Sequence, residues 1–543
     1  MYVSVGMYAF QFSFARIEPL FLLIKLALVS IGIEQQAFCP CGCLAHPFAD
    51  FFNGEFYGCF YDDFVVDVHH DLFVFEVLHG VSEEVSSGCL DDVFDKLQPV
   101  GFNSLPPLIH SDTLIGDRCA AELVFSELGF HVRQAFYVSQ SESSIGFLGS
   151  SEMLDIDPNP VKFVNENNPI VEKLTLQEKT VLISRSGTIG NVTFVGKTLA
   201  KHLVSEHAIR LIHNQFQGYV YAYLKTQTAQ HLMQSEQFGS VILEIDPNSL
   251  CKLPIPNASE SLKTKIHNLI VRSYELRDES NEKMHTASDL LVREHGLPPI
   301  EELEKKSRDY SKSITAYSMR SKDLNGRLEA SFHDPIKRLI SELIVKKADL
   351  LPLGNESITK KIILPGRFKR IYTEPNHGVV FIGGKEIGAL DPCNKKYISL
   401  SLHSKRIKEE LLFEPEMILV TCSGTIGKVA LVPEHWNHWT VNQHVLRVVP
   451  RSDKIGILYC WLSSSYGKKL ITGLKYGSVV DEITDAQLPS IPVPVFQDSD
   501  FVGYINKLVL DANKMRHEAY QLEQEAIRIM IEEVLGISDD VAM

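Results

Sequence analysis

Two short apolar runs, Thr180-Val-Leu-Ile-Ser184 and Met417-Ile-Leu-Val-Thr421, each end abruptly in turn residues and predict buried strands. Each leads into Ser-Gly-Thr-Ile-Gly and then a second apolar stretch, Val192–Val195 or Val429–Val432. Val441–Val449 predicts a further strand, and helices are expected at Ile455–Lys469 and, matching it, Gln217–Gln230. Residues 261–293 and 500–535 lack proline, are rich in Leu, Ile, Glu, Lys, Arg and Ala, and predict two long helices. The pattern is that of mixed α+β units, each followed by a long helix.

The pattern occurs twice because the sequence does. Ser186 to Gly190 repeats as Ser423 to Gly427. Phe147-Leu-Gly with Asp157-Pro158 answers Phe381-Ile-Gly with Asp391-Pro392. Phe238-Gly-Ser-Val answers Tyr476-Gly-Ser-Val, and Leu253-Pro-Ile-Pro256 answers Ile491-Pro-Val-Pro494. The order is kept while the offset drifts only from 234 to 238, which defines homologous units at roughly 130–258 and 367–496. The turn residues Ser186, Gly187, Thr188, Gly190, Ser423, Gly424, Thr425 and Gly427 read as structural, with glycines supplying positive φ or close approach. The motif lacks the Gly-Lys-Ser/Thr ending of a phosphate loop.

The long helices repeat too. Leu269, Leu276 and Leu290 on the first, and Leu508, Met515, Leu522 and Ile529 on the second, form a heptad set of large residues. Beside them run Ser273, Ser280 and Ala287, and Ala512, Ala519 and Ala526. A seam of large and small residues predicts that the helices pair as a coiled coil. The alternative is two amphipathic helices, each packed on its own domain.

Composition adds a compartment and a warning. The chain is 45% hydrophobic and 22% charged, with net charge −15, which excludes a uniformly cationic nucleic-acid binder. Residues 1–110 hold 3 basic and 14 acidic residues, 15 of the 29 Phe and 5 of the 10 Cys. This segment is atypical. The apolar run Ile17–Ile33 contains Lys25 and is short for a membrane span. Cys39, Cys41, Cys43, His46, Cys59, His69 and His70 suggest a metal cluster, but their spacing is not the usual paired one. The other expectation is a misread or fused start rather than an evolved domain. The scattered remaining cysteines suit a reduced, cytoplasmic protein.

Catalytic motifs are missing from the sequence: there is no Asn/Asp-Pro-Pro-aromatic motif, G-x-S-x-G, H-E-x-x-H or Walker lysine. His207 and His444 recur at matching places, and with no nucleophile close in sequence they read as structural. Binding chemistry is better represented. Lys360, Lys361, Arg367, Lys369, Arg370, Lys385, Lys395, Lys396, Lys405, Arg406 and Lys408 face only Glu374, Glu386 and Asp391, with Phe368, Tyr372, His377 and Tyr397 interleaved. Such a patch suits a polyanion. The first unit is poorer, with five acids between 131 and 170 and Arg185, Lys197, Lys201 and Arg210 further on.

This layout resembles the specificity (S) subunit of type I restriction–modification systems. Arg327-Leu-Glu-Ala-Ser-Phe-His-Asp-Pro335 looks like the opening of a target-recognition domain, and Arg118-Cys-Ala-Ala-Glu-Leu-Val-Phe like a weaker copy. The resemblance covers roughly 115–540, and residues 1–110 have no counterpart in the family; the chain is expected to divide into five segments. These are the atypical 1–110, recognition domain 1 at 111–258, a helical spacer at 259–320, recognition domain 2 at 321–497, and a C-terminal helix at 498–543. The first copy spans 29 residues from Arg118 to Phe147, against 54 from Arg327 to Phe381, so recognition domain 1 is expected to be shortened. The resemblance further implies antiparallel helices that space two DNA-reading domains, with no catalysis, cofactor, metal or membrane association in this chain. Double-stranded DNA, two methyltransferase (M) subunits using S-adenosylmethionine, and restriction (R) subunits using ATP and Mg would be its partners. A tandem protein-interaction scaffold and a degenerate specificity subunit are the alternatives.

Overall fold

The computed structural model describes residues 137–537, apart from 187–188, 213–214, 239–242, 295, 308–316, 325, 347, 394 and 478–479. The expectations for residues 1–110, the Arg118 opening and the shortening before Phe147 therefore lie outside the described residues.

The first repeat runs β1 (Tyr137–Val138), β2 (Ser144–Leu148), β3 (Lys162–Asn165), α1 (Ile170–Leu174), β4 (Val181–Ser184), β5 (Val192–Phe194) and α2 (Lys197–Ala200). It continues with β6 (Leu203–Val204), β7 (Ala208–Leu211), α3 (Gln217–Leu224), α4 (Gln227–Ser235), β8 (Gln237–Phe238), β9 (Glu244–Ile245) and α5 (Pro247–Cys251). Long helix α6 (Glu260–Glu294) and α7 (Ile300–Ser307) follow. The second repeat runs α8 (Pro335–Ile344), β10 (Asp349–Pro352), β11 (Thr359–Ile363), β12 (Gly378–Ile382), β13 (Lys396–Ser399), α9 (Leu400–Arg406), β14 (Ile418–Thr421) and β15 (Val429–Leu431). It closes with β16 (Thr440–Val441), β17 (Val445–Pro450), α10 (Ile455–Ser463), α11 (Ser465–Thr472), β18 (Pro492–Val495) and long helix α12 (Ser499–Ile529).

Both repeats build the same two sheets. The antiparallel order β5-β4-β7 in the first recurs as β15-β14-β17 in the second, where β11 adds an edge. The other sheet contains one parallel pair in each copy, Phe147 with Leu203 and Phe381 with Thr440. β4 and β14 are buried along their whole length, as their unbroken apolar runs require. The single helix expected over 455–469 is broken at Ser464, whose hydroxyl caps α11 by accepting from the Gly467 N–H. Its partner over 217–230 breaks likewise at Thr226, which caps α4.

Helices α6 and α12 pair antiparallel. Ser273 on α6 meets Ala519 on α12, Arg277 pairs with Glu523, and Lys265 pairs with Glu533. The small set forms the centre of the seam: Ser273, Ser280, Ala287, Ala512, Ala519 and Ala526 are all fully buried. Backbones come close enough for the Ser273 hydroxyl to donate to the Ala519 carbonyl at 2.6 Å. This redistributes the expected heptad set. Leu276 and Ile529 are buried, whereas Leu269, Leu290, Leu508, Met515 and Leu522 are half-buried flanks that pack against the domains.

Each repeat docks on the helix that follows it by one device. Gly218 in α3 lies where an added Cβ would stand 2.7 Å from the His267 carbonyl; at Gly456 in α10 it would stand 2.5 Å from Asn506 Cα. The Gly218 N–H donates to His267 Nδ1 at 3.0 Å, and the Gly456 N–H to Asn506 Oδ1 at 2.8 Å. The long helix thus supplies an acceptor for an orphan N–H at the start of a domain helix. With Ser273 opposite Ala519, Asn506 lies level with about residue 286, so the two docking points are roughly 19 residues, about 29 Å, apart along the pair.

Candidate nucleic-acid interface

Local geometry around the repeated turn is the same in both copies. Gly190 N–H donates to the Ser184 carbonyl and Gly427 N–H to the Thr421 carbonyl. Positive φ at Gly190 (81°), Gly424 (71°) and Gly427 (89°) suits residues without Cβ. Gly187 and Thr188 lie outside the described residues. Ser186 and Ser423 make isolated bridges to Glu244 and Glu482, so each turn carries one glutamate at its rim.

An arginine holds that glutamate in both copies, from different places in the chain. Arg185 pairs with Glu244 at 3.0 Å and Arg367 with Glu482 at 2.8 Å. In the second copy, Arg370 also donates to Gln443 Oε1 at 2.8 Å, and Gln443 meets His444 Nε2 at 3.0 Å. Burial followed by the nearby Arg370 charge pushes the His444 pKa down. In the first copy, Ser186 Oγ lies 2.7 Å from His207 Nδ1. The sequence thus concealed a hydroxyl partner for His207, since the two are brought together only by the β4–β7 pairing. The pair does not recur in the second copy, where His444 turns to Gln443 instead.

The eleven basic residues of 358–408 do not form one patch. Lys360 and Lys361 are exposed on edge strand β11. Arg367 and Arg370 reach the turn rim, while Phe368 between them packs on His403 and under the Arg406 guanidinium. Arg406 also pairs with Glu410 at 2.8 Å. Lys369 and Lys405 are exposed, as is Lys408, and Lys396 lies over Tyr372. Lys395 is turned to Asp391 at 2.5 Å and to the Trp439 ring, toward the paired helices. Lys385 lines a cleft of about 1380 Å³ between the repeats, together with Lys201, His207 and the second turn. Arg210 is internal: it donates to the carbonyls of Lys173, Leu174 and Val204.

Lys428, at the end of the second turn, was not singled out by its sequence context. It pairs with Asp155 of the first repeat at 2.8 Å, and Ile156 N–H donates to the Gly388 carbonyl at 2.8 Å. Burial outweighs the Lys428 charge and raises the Asp155 pKa. Among the described residues no group of side chains is arranged to hold a metal ion, and no described helix is long and apolar enough to cross a membrane.

Two repeated α+β domains, each fixed by a glycine contact to one of two antiparallel helices, define a tandem binding scaffold that presents a polar turn rim in each half. Residues 367–496 match the family model described as the type I restriction modification DNA specificity domain. That match covers the second repeat and is what this part of the chain is similar to. A comparison with curated proteins finds no match. Solved structures similar to the chain include the HsdS subunit from Thermoanaerobacter tengcongensis, at 12% identity over 72% of this chain and 90% of that one, TM-score 0.23. The type I restriction–modification S subunit from M. genitalium is similar at 13% identity over 74% and 91%, TM-score 0.22.

Proposed function

We propose that this chain reads a bipartite DNA target, one half-site per repeat, and directs partner adenine-methyltransferase and ATP-dependent restriction subunits to it. The observation that carries this reading is the repeated docking of two homologous domains on one antiparallel helix pair, at points about 29 Å apart. One turn of B-DNA is about 34 Å. A helix pair that holds two homologous domains at separate points along its length suits two half-sites on one duplex. Arg185 in the first repeat and Arg367, Lys369 and Arg370 in the second supply phosphate contacts, which position the duplex without reading it. S-adenosylmethionine, ATP and Mg belong to the partner subunits in this account. Their docking surface is the helix pair.

Site selection from random duplexes by the purified full chain, with and without candidate methyltransferase partners, tests the proposal. Two blocks of preferred bases separated by a spacer of constant length are expected. Retention without sequence preference, or of protein partners alone, would favour a tandem interaction scaffold. A single block would favour a specificity subunit with one working reader.

A further inference from the structure

The repeats share a scaffold, so any difference in what they read must lie where they differ. One segment stands out. Between its flanking strand and the bridge to β6 or β16, the first repeat has residues 166–174 and the second has 400–411. Both segments are anchored alike. Antiparallel strand pairs enter them, β2 with β3 and β12 with β13. Isolated bridges leave them, Thr175 with Leu203 and Leu412 with Thr440. A buried arginine ties down each exit: Arg210 donates to the Lys173 and Leu174 carbonyls, and Arg447 to the Leu412 carbonyl.

Between these matched anchors the outward content is unlike. The first segment exposes Glu166, Asn167, Glu172 and Lys173. The second exposes Leu402 (63%) and Leu400 (46%) beside Lys405 and Lys408. The adjoining strap adds Tyr372 (45%), Ile371 (39%) and Lys369. The strap is fixed to α9: the Ile371 N–H donates to His403 Nε2 at 3.2 Å, and Phe368 packs on His403. It is equally fixed to the turn rim through Arg367–Glu482 and Arg370–Gln443. Exposed apolar side chains clustered on one anchored element mark a contact surface. Cations around them select a polyanion that also presents apolar groups. A DNA major groove does so, with phosphates at its walls and thymine methyls on its floor.

We propose that α9 and the 369–372 strap are the base-reading element of the second repeat, with Leu402 and Tyr372 meeting base edges and Lys369, Lys396 and Lys405 holding flanking phosphates. This rests on the reading of the chain as a DNA specificity subunit. Site selection with the full chain compares the parent, Leu402→Ala and Lys405→Ala, with thermal unfolding as the control for folding. Leu402→Ala should relax preference within one block only, by about 5- to 150-fold at the affected position, the usual cost of one mismatched base pair, and leave the salt dependence unchanged. Lys405→Ala should keep both blocks and lower the salt slope by about 0.9. Unchanged preference in Leu402→Ala, or loss of methyltransferase co-purification with both blocks intact, would overturn the assignment. Absence of any sequence preference in the parent chain would instead remove the DNA reading beneath it.

Discussion

Gly218 and Gly456 occupy equivalent places and tolerate no side chain, because the backbone of a long helix already fills the space of a Cβ. Replacing either with Ala should destabilise the chain by about 1–3 kcal/mol, the usual cost of overpacking, measurable as a lower denaturant midpoint. The turn glycines were legible in the sequence, since their requirement is local. These two were not, since theirs comes from a helix about 50 residues downstream. The same holds for Arg210 and Arg447. Sequence alone does not show that the fold buries each one against carbonyls, where burial lowers its pKa to about 10. The basic run at 358–408 misleads for a related reason. Sequence neighbours on strands and their connections point to different faces, so contiguous charge became an edge, a rim and a helix contact.

At the scale of elements, the helix pair is held by charge as well as by close packing. Glu523 is almost fully buried between Arg277, Lys225 and Tyr221. Burial pushes its carboxyl up, but the Arg277 and Lys225 charges prevail and hold it at about 2. Glu523→Gln would leave two buried cations without their anion and should cost about 3–5 kcal/mol, read by chemical denaturation. Met284 takes the corresponding place on α6, so the cluster exists in one half of the pair only. The period of the sequence foretold two long helices. It placed the small residues in the seam but did not reveal that most of the large set would turn out to flank it, because which side of a helix meets the domains is a tertiary outcome.

A second element-scale prediction concerns acid. His435 of the second repeat stacks on Tyr520 of α12 at 4.0 Å between centroids and meets the Leu390 carbonyl. Burial pushes its pKa down to about 4. The unfolded chain takes up this proton near pH 6.5, and the folded chain only near 4. Stability from the neutral ring is therefore full above 6.5 and is lost as pH falls from 6.5 to 4, by about 3 kcal/mol at most. His435→Phe should flatten that part of the stability profile in thermal scans from pH 7 to 4.

For the whole molecule, the internal repeat carried the architecture: duplicated sheets, parallel pairs and docking helices follow from duplicated sequence. How the repeats meet was not legible, because their direct contact is unlike on its two sides. Lys428 and Asp155 correspond in the other copy to Asn191 and Ala389, so this bridge is made once. In the function proposed, the helix pair fixes the distance between two DNA readers. The most direct test takes the selected bipartite duplex and adds or removes base pairs between its blocks while leaving the blocks intact. A rigid spacer predicts that changing the gap by two or three base pairs, which also rotates one block about the duplex, drops affinity toward the non-specific level. Affinity indifferent to the gap would contradict the account.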